Sequence, residues 1–199
     1  MSYGLTKTNE LLADYQAKVD APCPLNLTNH AYFNLAGESS AKDILSTEMK
    51  LHSSSYLEVD NALIPTGKIL PVEGTPFDFR SQKPIGKDIG ALLGSRADGY
   101  DHCFVIDDEP GDLRLFAEVH EPYSGRSMRG FTTQPAFQFF SGNNISAMRG
   151  KIGSVYEKHA GFCLETQHFP DSPNRPEFPS TIFGPERNYN EKTVFAFAW

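Results

Sequence analysis

The chain has 199 residues, 39% hydrophobic and 22% charged, with a formal net charge of −7 at neutral pH. That is length for a single domain, residues 1–199, able to bury a sizeable core. The acidic balance argues against nucleic acid and anionic membrane as main partners, because both need clustered Lys and Arg. No apolar run approaches the roughly 20 residues of a membrane span. The opening MSYGLTKTNE shows no basic region followed by an apolar stretch, so no signal peptide is expected. Cys23, Cys103 and Cys163 are odd in number and have no metal-ligand spacing. They predict reduced thiols in a cytoplasmic protein, which makes the sequons at Asn26 and Asn144 chance matches.

Taken in chain order, the predicted elements are almost all strands. Tyr3 to Leu5 and Leu11 to Val19, separated by TKTNE, form an expected hairpin. In the second of these, Leu11, Ala13, Tyr15, Ala17 and Val19 share one face. In LSTEMKLH, the residues Leu45, Thr47, Met49 and Leu51 alternate with polar ones. KDIGALLG is the single helical candidate, a turn or two capped by Asp88. In DLRLFAEVHE, Leu113, Leu115, Ala117 and Val119 are expected on one face. AFQFFS and the C-terminal TVFAFAW alternate similarly, and fifteen Phe and eight Tyr favour strands. Gly and Pro punctuate the chain at short intervals, as in IPTGK, VEGTP, DEPGD and EPYSG. Many short strands with such turns predict an all-β, antiparallel β-sandwich or barrel. Pro170, Pro173, Pro176 and Pro179 recur every third residue. That spacing permits a polyproline II docking ligand, but an ordered surface loop is the preferred expectation.

Four places set polar groups in apolar context. These are Asn29-His30 before Tyr32-Phe33, Asp101-His102 before an apolar strand, Gln134 and Gln138 in TTQPAFQFF, and Glu165, Gln167 and His168 in ETQH. Singly, each has a structural explanation as a hydrogen-bonded residue of a β-protein. Together they supply an imidazole, two carboxylates and amides beside aromatic rings, the inventory of a sugar site. Asp101-His102 and Glu165-x-x-His168 hold metal-ligand types, but neighbouring strand residues point to opposite faces. Neither HExxH nor CxxC is present. No G-x-S-x-G, GxGxxG or P-loop occurs, and the cysteines lack basic neighbours. On the strand around Glu165, alternation puts Cys163, Glu165 and Gln167 on one face. Phe162, Leu164, Thr166 and His168 fall on the other. A carboxylate partly desolvated there would have its pKa raised and would serve better as a general base.

NLTNHAYFNLAG, GYDHCFV, TTQPAFQFFSGN and ETQHFPDSPNRPEFPST closely resemble the galactose mutarotase (aldose 1-epimerase) family, in the same order and over essentially Met1 to Trp199. The resemblance implies a mutarotase-like supersandwich with the sugar on a concave sheet. It implies interconversion of the α- and β-anomers of aldohexoses such as galactose and glucose, without metal or organic cofactor. Carried over motif by motif, His30 is the general acid, Glu165 the general base, and Asp101 and Gln134 bind sugar hydroxyls. An imidazole and a carboxylate tuned upward can each give and take a proton, as ring opening and closure require.

Members of the family carry a longer N-terminal segment with further sugar ligands. The resemblance therefore implies the C-terminal catalytic portion of a mutarotase, with reduced activity. It also implies a sheet edge open to self-association or to a partner chain. The alternative in another class is a non-catalytic sugar-binding or regulatory module. A hexose-phosphate epimerase would need clustered Arg, and Arg126, Arg129, Arg149 and Arg175 are scattered.

Overall fold

A computed structural model describes residues 1–40, 42–151 and 153–199. The strands, in chain order, are β1 (Ser2–Leu5), β2 (Glu10–Ala17), β3 (Cys23–Pro24), β4 (Tyr32–Phe33), β5 (Glu48–Leu51) and β6 (Ser55–Val59). Next come β7 (Pro65–Pro71), β8 (Lys83–Pro84), β9 (Asp101–Val105), β10 (Arg114–His120), β11 (Ser127–Thr132) and β12 (Ala136–Phe140). The last are β13 (Met148–Arg149), β14 (Val155–Tyr156), β15 (Phe162–Gln167), β16 (Ile182–Phe183) and β17 (Tyr189–Ala198). Seven strands form one sheet, in the order β1-β2-β17-β11-β10-β5-β8, and six form a second, β4-β15-β12-β9-β6-β7. The pairs β13–β14 and β3–β16 make two short ribbons. Pairing between named strands is antiparallel throughout the described residues.

Phenylalanine joins the two sheets. Phe116 and Phe195 from the seven-stranded sheet meet Phe137 and Phe33 from the other, with ring centroids 4.8 and 4.9 Å apart. Met49, Leu51, Val119 and Met128 complete one side of this core, and Phe104, Phe139, Phe162 and Leu164 the other. Each such side chain contributes roughly 1.5–3 kcal/mol by leaving water, so the contact between the sheets dominates the stability. Because strand side chains alternate, the same pattern that sends Phe162, Leu164, Phe137 and Phe139 inward sends Glu165 and Gln138 to the far face of the six-stranded sheet.

The β1–β2 hairpin forms as expected, with Ser2 opposite Asp14 and Leu5 opposite Leu11. β1 is the outermost strand of its sheet, and all four of its residues are exposed. In β2, Ala13 and Tyr15 are buried on the expected face, although the strand ends at Ala17, before Val19.

Two expectations are refined, and the one for the proline-rich segment holds. In β10 the register shifts between Leu115 and Ala117. Such a bulge leaves one extra residue, which breaks the alternation, and Phe116 turns into the core while Leu113 stays exposed. Gly130, on the neighbouring strand, makes room for it: a Cβ there would stand 2.7 Å from the Phe116 ring. The segment KDIGALLG lies in two 3-10 turns, Ile85–Lys87 and Ile89–Leu92, rather than one capped helix. Asp88 makes no side-chain cap there; its carboxylate accepts from Lys83 Nζ at 2.6 Å. The proline-rich segment is an ordered loop. Ser172–Asn174 is a 3-10 turn, and buried Phe169 and Phe178 meet edge to face at 5.2 Å.

Candidate active site

The outer face of the six-stranded sheet carries an open cleft of about 340 Å³, to which every strand of that sheet contributes. β4 supplies Tyr32, β15 supplies Glu165 and Gln167, and β12 supplies Gln138 and Phe140. β9 supplies Asp101 and Cys103, β6 supplies Val59, and β7 supplies Pro65. His30, Asn144 and Pro170 enter from the connecting loops. Polar groups from the middle strands therefore converge on a floor flanked by Tyr32 and Phe140.

Glu165 and His30 are the closest pair of titratable groups in the cleft. Glu165 Oε1 lies 3.4 Å from His30 Nε2, and the Glu165 side chain is 11% exposed against 51% for His30. Burial pushes the Glu165 carboxyl up from 4.5 to about 7; His30 pulls it down, and the Asp101 charge pushes it up. The imidazole lies on the Tyr32 ring, with centroids 5.1 Å apart and planes 23° from parallel, and meets Phe140 edge-on. Its backbone is set by Asn29, whose Oδ1 accepts from the Ala31 N–H at 2.9 Å. Asn29 Nδ2 donates to the Tyr3 hydroxyl, so β1 reaches the loop that presents His30.

Asp101 stands on the neighbouring face of the cleft and accepts from Gln138 Nε2 at 2.7 Å. Burial raises its carboxyl above the usual range, while the Gln138 hydrogen bond and His30 lower it. The structure thus brings His30, Glu165 and Asp101 together. It does not bring Gln134 with them. Gln134 is fully buried and lies outside the cleft. Its Nε2 donates to the backbone carbonyls of Leu27 and Thr166, and its Oε1 accepts from the Tyr189 hydroxyl. Both amide hydrogens and one lone pair of its oxygen are engaged inside the fold, away from the cleft. The cleft-facing amide of that stretch is Gln138, four residues on, opposite both Glu165 and Cys103 in the sheet register. Its Oε1 has no protein partner. Strict alternation through AFQFF separates Gln138 and Phe140 from core-facing Phe137 and Phe139, and this is the signal that finds it. Tyr32, Asn144 and Gln167 are cleft residues that carried no assigned role in the sequence.

The other histidines of the motifs lie elsewhere. His102 is buried against Phe77, and that burial pushes its pKa down to about 4, so it is neutral. His168 points away from the cleft, pairs with Glu191 Oε1 at 3.2 Å and touches Phe183 and Tyr189. Among the described residues one group of side chains could gather around a cation: ligand atoms of His30, Cys163 and Glu165 lie within 4.8 Å of one another. Cys163 is fully buried, and its thiol is pushed far up by burial and by the Glu165 and Asp101 charges. A metal would need the thiolate that this setting opposes, so the cluster suits proton transfer better than ligation.

Comparison with known proteins follows the same lines. The family model for aldose 1-epimerase matches residues 1–196. A galactose mutarotase of Rattus norvegicus is 45% identical over 190 residues, covering 95% of this chain and 54% of its own. The galactose mutarotase of Homo sapiens is 43% identical over the same shares. An aldose 1-epimerase of Escherichia coli (strain K12) is 36% identical, covering 99% of this chain and 57% of its own. The chain thus spans about half the length of the curated relatives it matches. Among solved structures, a GalM/aldose epimerase homologue from C. elegans superposes with a TM-score of 0.85 at 28% identity, covering 98% of this chain and 58% of that one. A galactose 1-epimerase from Lactobacillus acidophilus NCFM shares the fold, with a TM-score of 0.81 at 23% identity and shares of 98% and 55%. With the two sheets, the cleft and these matches in agreement, the chain belongs to the aldose 1-epimerase family.

Proposed function

We propose that this chain catalyses mutarotation, the interconversion of α- and β-anomers of aldohexoses such as galactose and glucose. The observation that carries this reading is the buried Glu165 carboxylate, 3.4 Å from a half-exposed imidazole on the wall of an open polar cleft. Its relatives named galactose mutarotase and aldose 1-epimerase support the same assignment. A cleft of about 340 Å³ lies at the small end of ligand sites, roughly 300–1,000 Å³, which suits a monosaccharide.

In this scheme Glu165 takes the proton of the C1 hydroxyl, and His30 as imidazolium gives its proton to the ring oxygen. The bond from C1 to the ring oxygen breaks and its electron pair leaves with that oxygen, while the other oxygen on C1 becomes the carbonyl. Half a turn about C1–C2 presents the opposite carbonyl face. On closure the chain hydroxyl attacks C1, His30 recovers the proton, and Glu165 returns its own to the new C1 hydroxyl. A carboxyl raised to about 7 is matched to this exchange near neutral pH, where a group must both accept and release a proton. Asp101 and Gln138 bind sugar hydroxyls in this scheme. Gln138 lines the cleft and holds Asp101 in place through its amide hydrogen, and Tyr32 and Phe140 offer ring surface to the C–H groups. Three free cysteines support a reducing, cytoplasmic location, and no helix among the described residues is long and apolar enough to cross a membrane.

Polarimetry on freshly dissolved α-D-galactose and α-D-glucose tests the proposal. Protein should speed the approach to the equilibrium rotation, and Glu165→Gln should abolish the effect. A parent protein that binds sugar and leaves the rate at the buffer value would reduce the chain to a sugar-binding module.

A further inference from the structure

We propose that the buried amide of Gln134 is a positioning residue, the clamp that sets His30 and Glu165 at their working separation. The inference rests on the mutarotase reading of that pair. Gln134 lies in the crossover between β11 of the seven-stranded sheet and β12 of the six-stranded one. Its two amide hydrogens go to two different segments. One is donated to the Leu27 carbonyl at 3.1 Å, three residues before His30. The other is donated to the Thr166 carbonyl at 3.0 Å, next to Glu165. One side chain thus joins the acid-bearing loop to the base-bearing strand.

The remaining contacts brace the same joint. Gln134 Oε1 accepts from the Tyr189 hydroxyl at 3.2 Å, and that hydroxyl accepts from the Leu27 N–H at 3.1 Å. The Gln134 N–H donates to Thr132 Oγ1, which touches Thr193 Oγ1, which in turn touches Thr166 Oγ1. On the far side of His30, Tyr32 pairs directly with Cys163 of β15. Upstream, Asn26 exchanges two hydrogen bonds with the backbone of His168. The loop is therefore laid along β15 over its whole length, and Gln134 supplies the tie next to Glu165.

Chemistry says what happens when the amide is removed. The Leu27 and Thr166 oxygens are both acceptors, and the Gln134 NH2 group stands between them. Without it, the Thr166 oxygen loses this donor and the Leu27 oxygen keeps only the Tyr189 hydroxyl, at 3.2 Å, which favours separation of the two oxygens. Leu27 then moves relative to Thr166. No side-chain hydrogen bond among the described residues fixes the His30 imidazole; its polar contact is Glu165 itself. A displacement of the loop passes directly into the separation of the reacting pair, and a misplacement near 1 Å costs about 10²-fold in rate.

The test compares Gln134→Met, which keeps an unbranched side chain and removes both donors, with the parent, at a temperature where each is fully folded. The expected result is a fall in kcat of about 10- to 100-fold with KM for galactose changed less than about threefold. A purely structural role would lower the melting temperature and leave kcat of the folded protein alone. A second readout needs no turnover. In the parent, Glu165→Gln should shift the NMR resonances of the His30 ring; in the Gln134→Met background that shift should shrink. Parental kcat together with an undiminished ring shift overturns the clamp, whatever the melting temperature. Should Gln134→Met fail to fold, Tyr189→Phe, which removes the hydroxyl bracing Leu27 and Gln134, is read in the same two ways. Should the parent itself not mutarotate, the proposed function falls, and the ring-shift comparison alone decides the clamp.

Discussion

Replacing Glu165 by Gln should make the protein a far worse catalyst and, at neutral to alkaline pH, a more stable one. The substitution keeps shape and removes the charge. On folding, burial lifts the carboxyl from 4.5 to about 7, against the pull of His30 and with the push of Asp101. Because the folded value lies above the unfolded one, the group's favourable contribution is complete below about pH 4.5 and is lost as pH rises through about 7. At about 1.4 kcal/mol for each tenfold change, the full loss is about 3 kcal/mol. A neutral amide has no such dependence. The stability of Glu165→Gln minus that of the parent should therefore grow by about 2–3 kcal/mol between about pH 5 and about pH 8. Urea unfolding followed by aromatic fluorescence, at steps across that range, measures the difference. Mutarotation should fall by about 10²–10⁴-fold, the typical worth of a positioned base. A stability difference that stays flat with pH would refute the account of Glu165 as a desolvated carboxylate. A Gln variant that rotates galactose at the parental rate would remove it from the chemistry.

Other substitutions read other parts of the structure. His30→Ala should cut kcat by about 10²-fold or more while sugar affinity changes little, measured by polarimetry beside calorimetric titration; a variant of parental rate would exclude His30 as the acid. Asp101→Asn should weaken sugar binding by about 10-fold, the cost of one charge-assisted hydrogen bond of about 1.5 kcal/mol or more; unchanged affinity in the same titration would remove Asp101 from the sugar site. Gly130→Ala should destabilise by about 1–3 kcal/mol, because its Cβ would stand 2.7 Å from the buried Phe116 ring; an unchanged urea midpoint would mean that the bulge yields freely. β1 is exposed along its length and contains no charged residue, the condition under which edges pair; sedimentation velocity should show a concentration-dependent dimer that Leu5→Pro dissolves, and a monomer at every concentration would exclude this edge as a contact.

The legibility of the sequence differed between fold and site for physical reasons. Period-two alternation placed Ala13, Tyr15, Met49 and Leu51 correctly, because a half-buried strand must sort its side chains between two environments. It failed at Leu115 and Phe116, since a bulge depends on the strand opposite, where Gly130 leaves the gap. Asp88 looked like a helix cap because Asp often is one, and a buried lysine claimed it instead. The motifs marked His30, Asp101 and Glu165, which meet in one cleft although 71 and 64 residues separate them along the chain. They did not separate Gln134 from Gln138. Both are amides in one motif, and what distinguishes them is the partner each finds across the fold: two backbone carbonyls for the first, Asp101 for the second.

That distinction also explains how β15 can hold a costly carboxylate in place. Its inward residues, Phe162 and Leu164, are locked into the core between the sheets, and its next inward residue, Thr166, hydrogen-bonds Thr193 and is joined to Gln134 through its carbonyl. The strand is over-determined on the face away from the cleft, so Glu165 can be desolvated on the cleft face without pulling the backbone toward water. A carboxyl whose pKa is raised to about 7 is unfavourable locally when ionised, and it stays desolvated because the rest of the strand has no freedom to relieve it. The two faces of β15 thus divide the labour: aromatic and threonine contacts on one hold the geometry, and the carboxylate on the other acquires from that rigidity the raised proton affinity that the proposed proton transfer calls for.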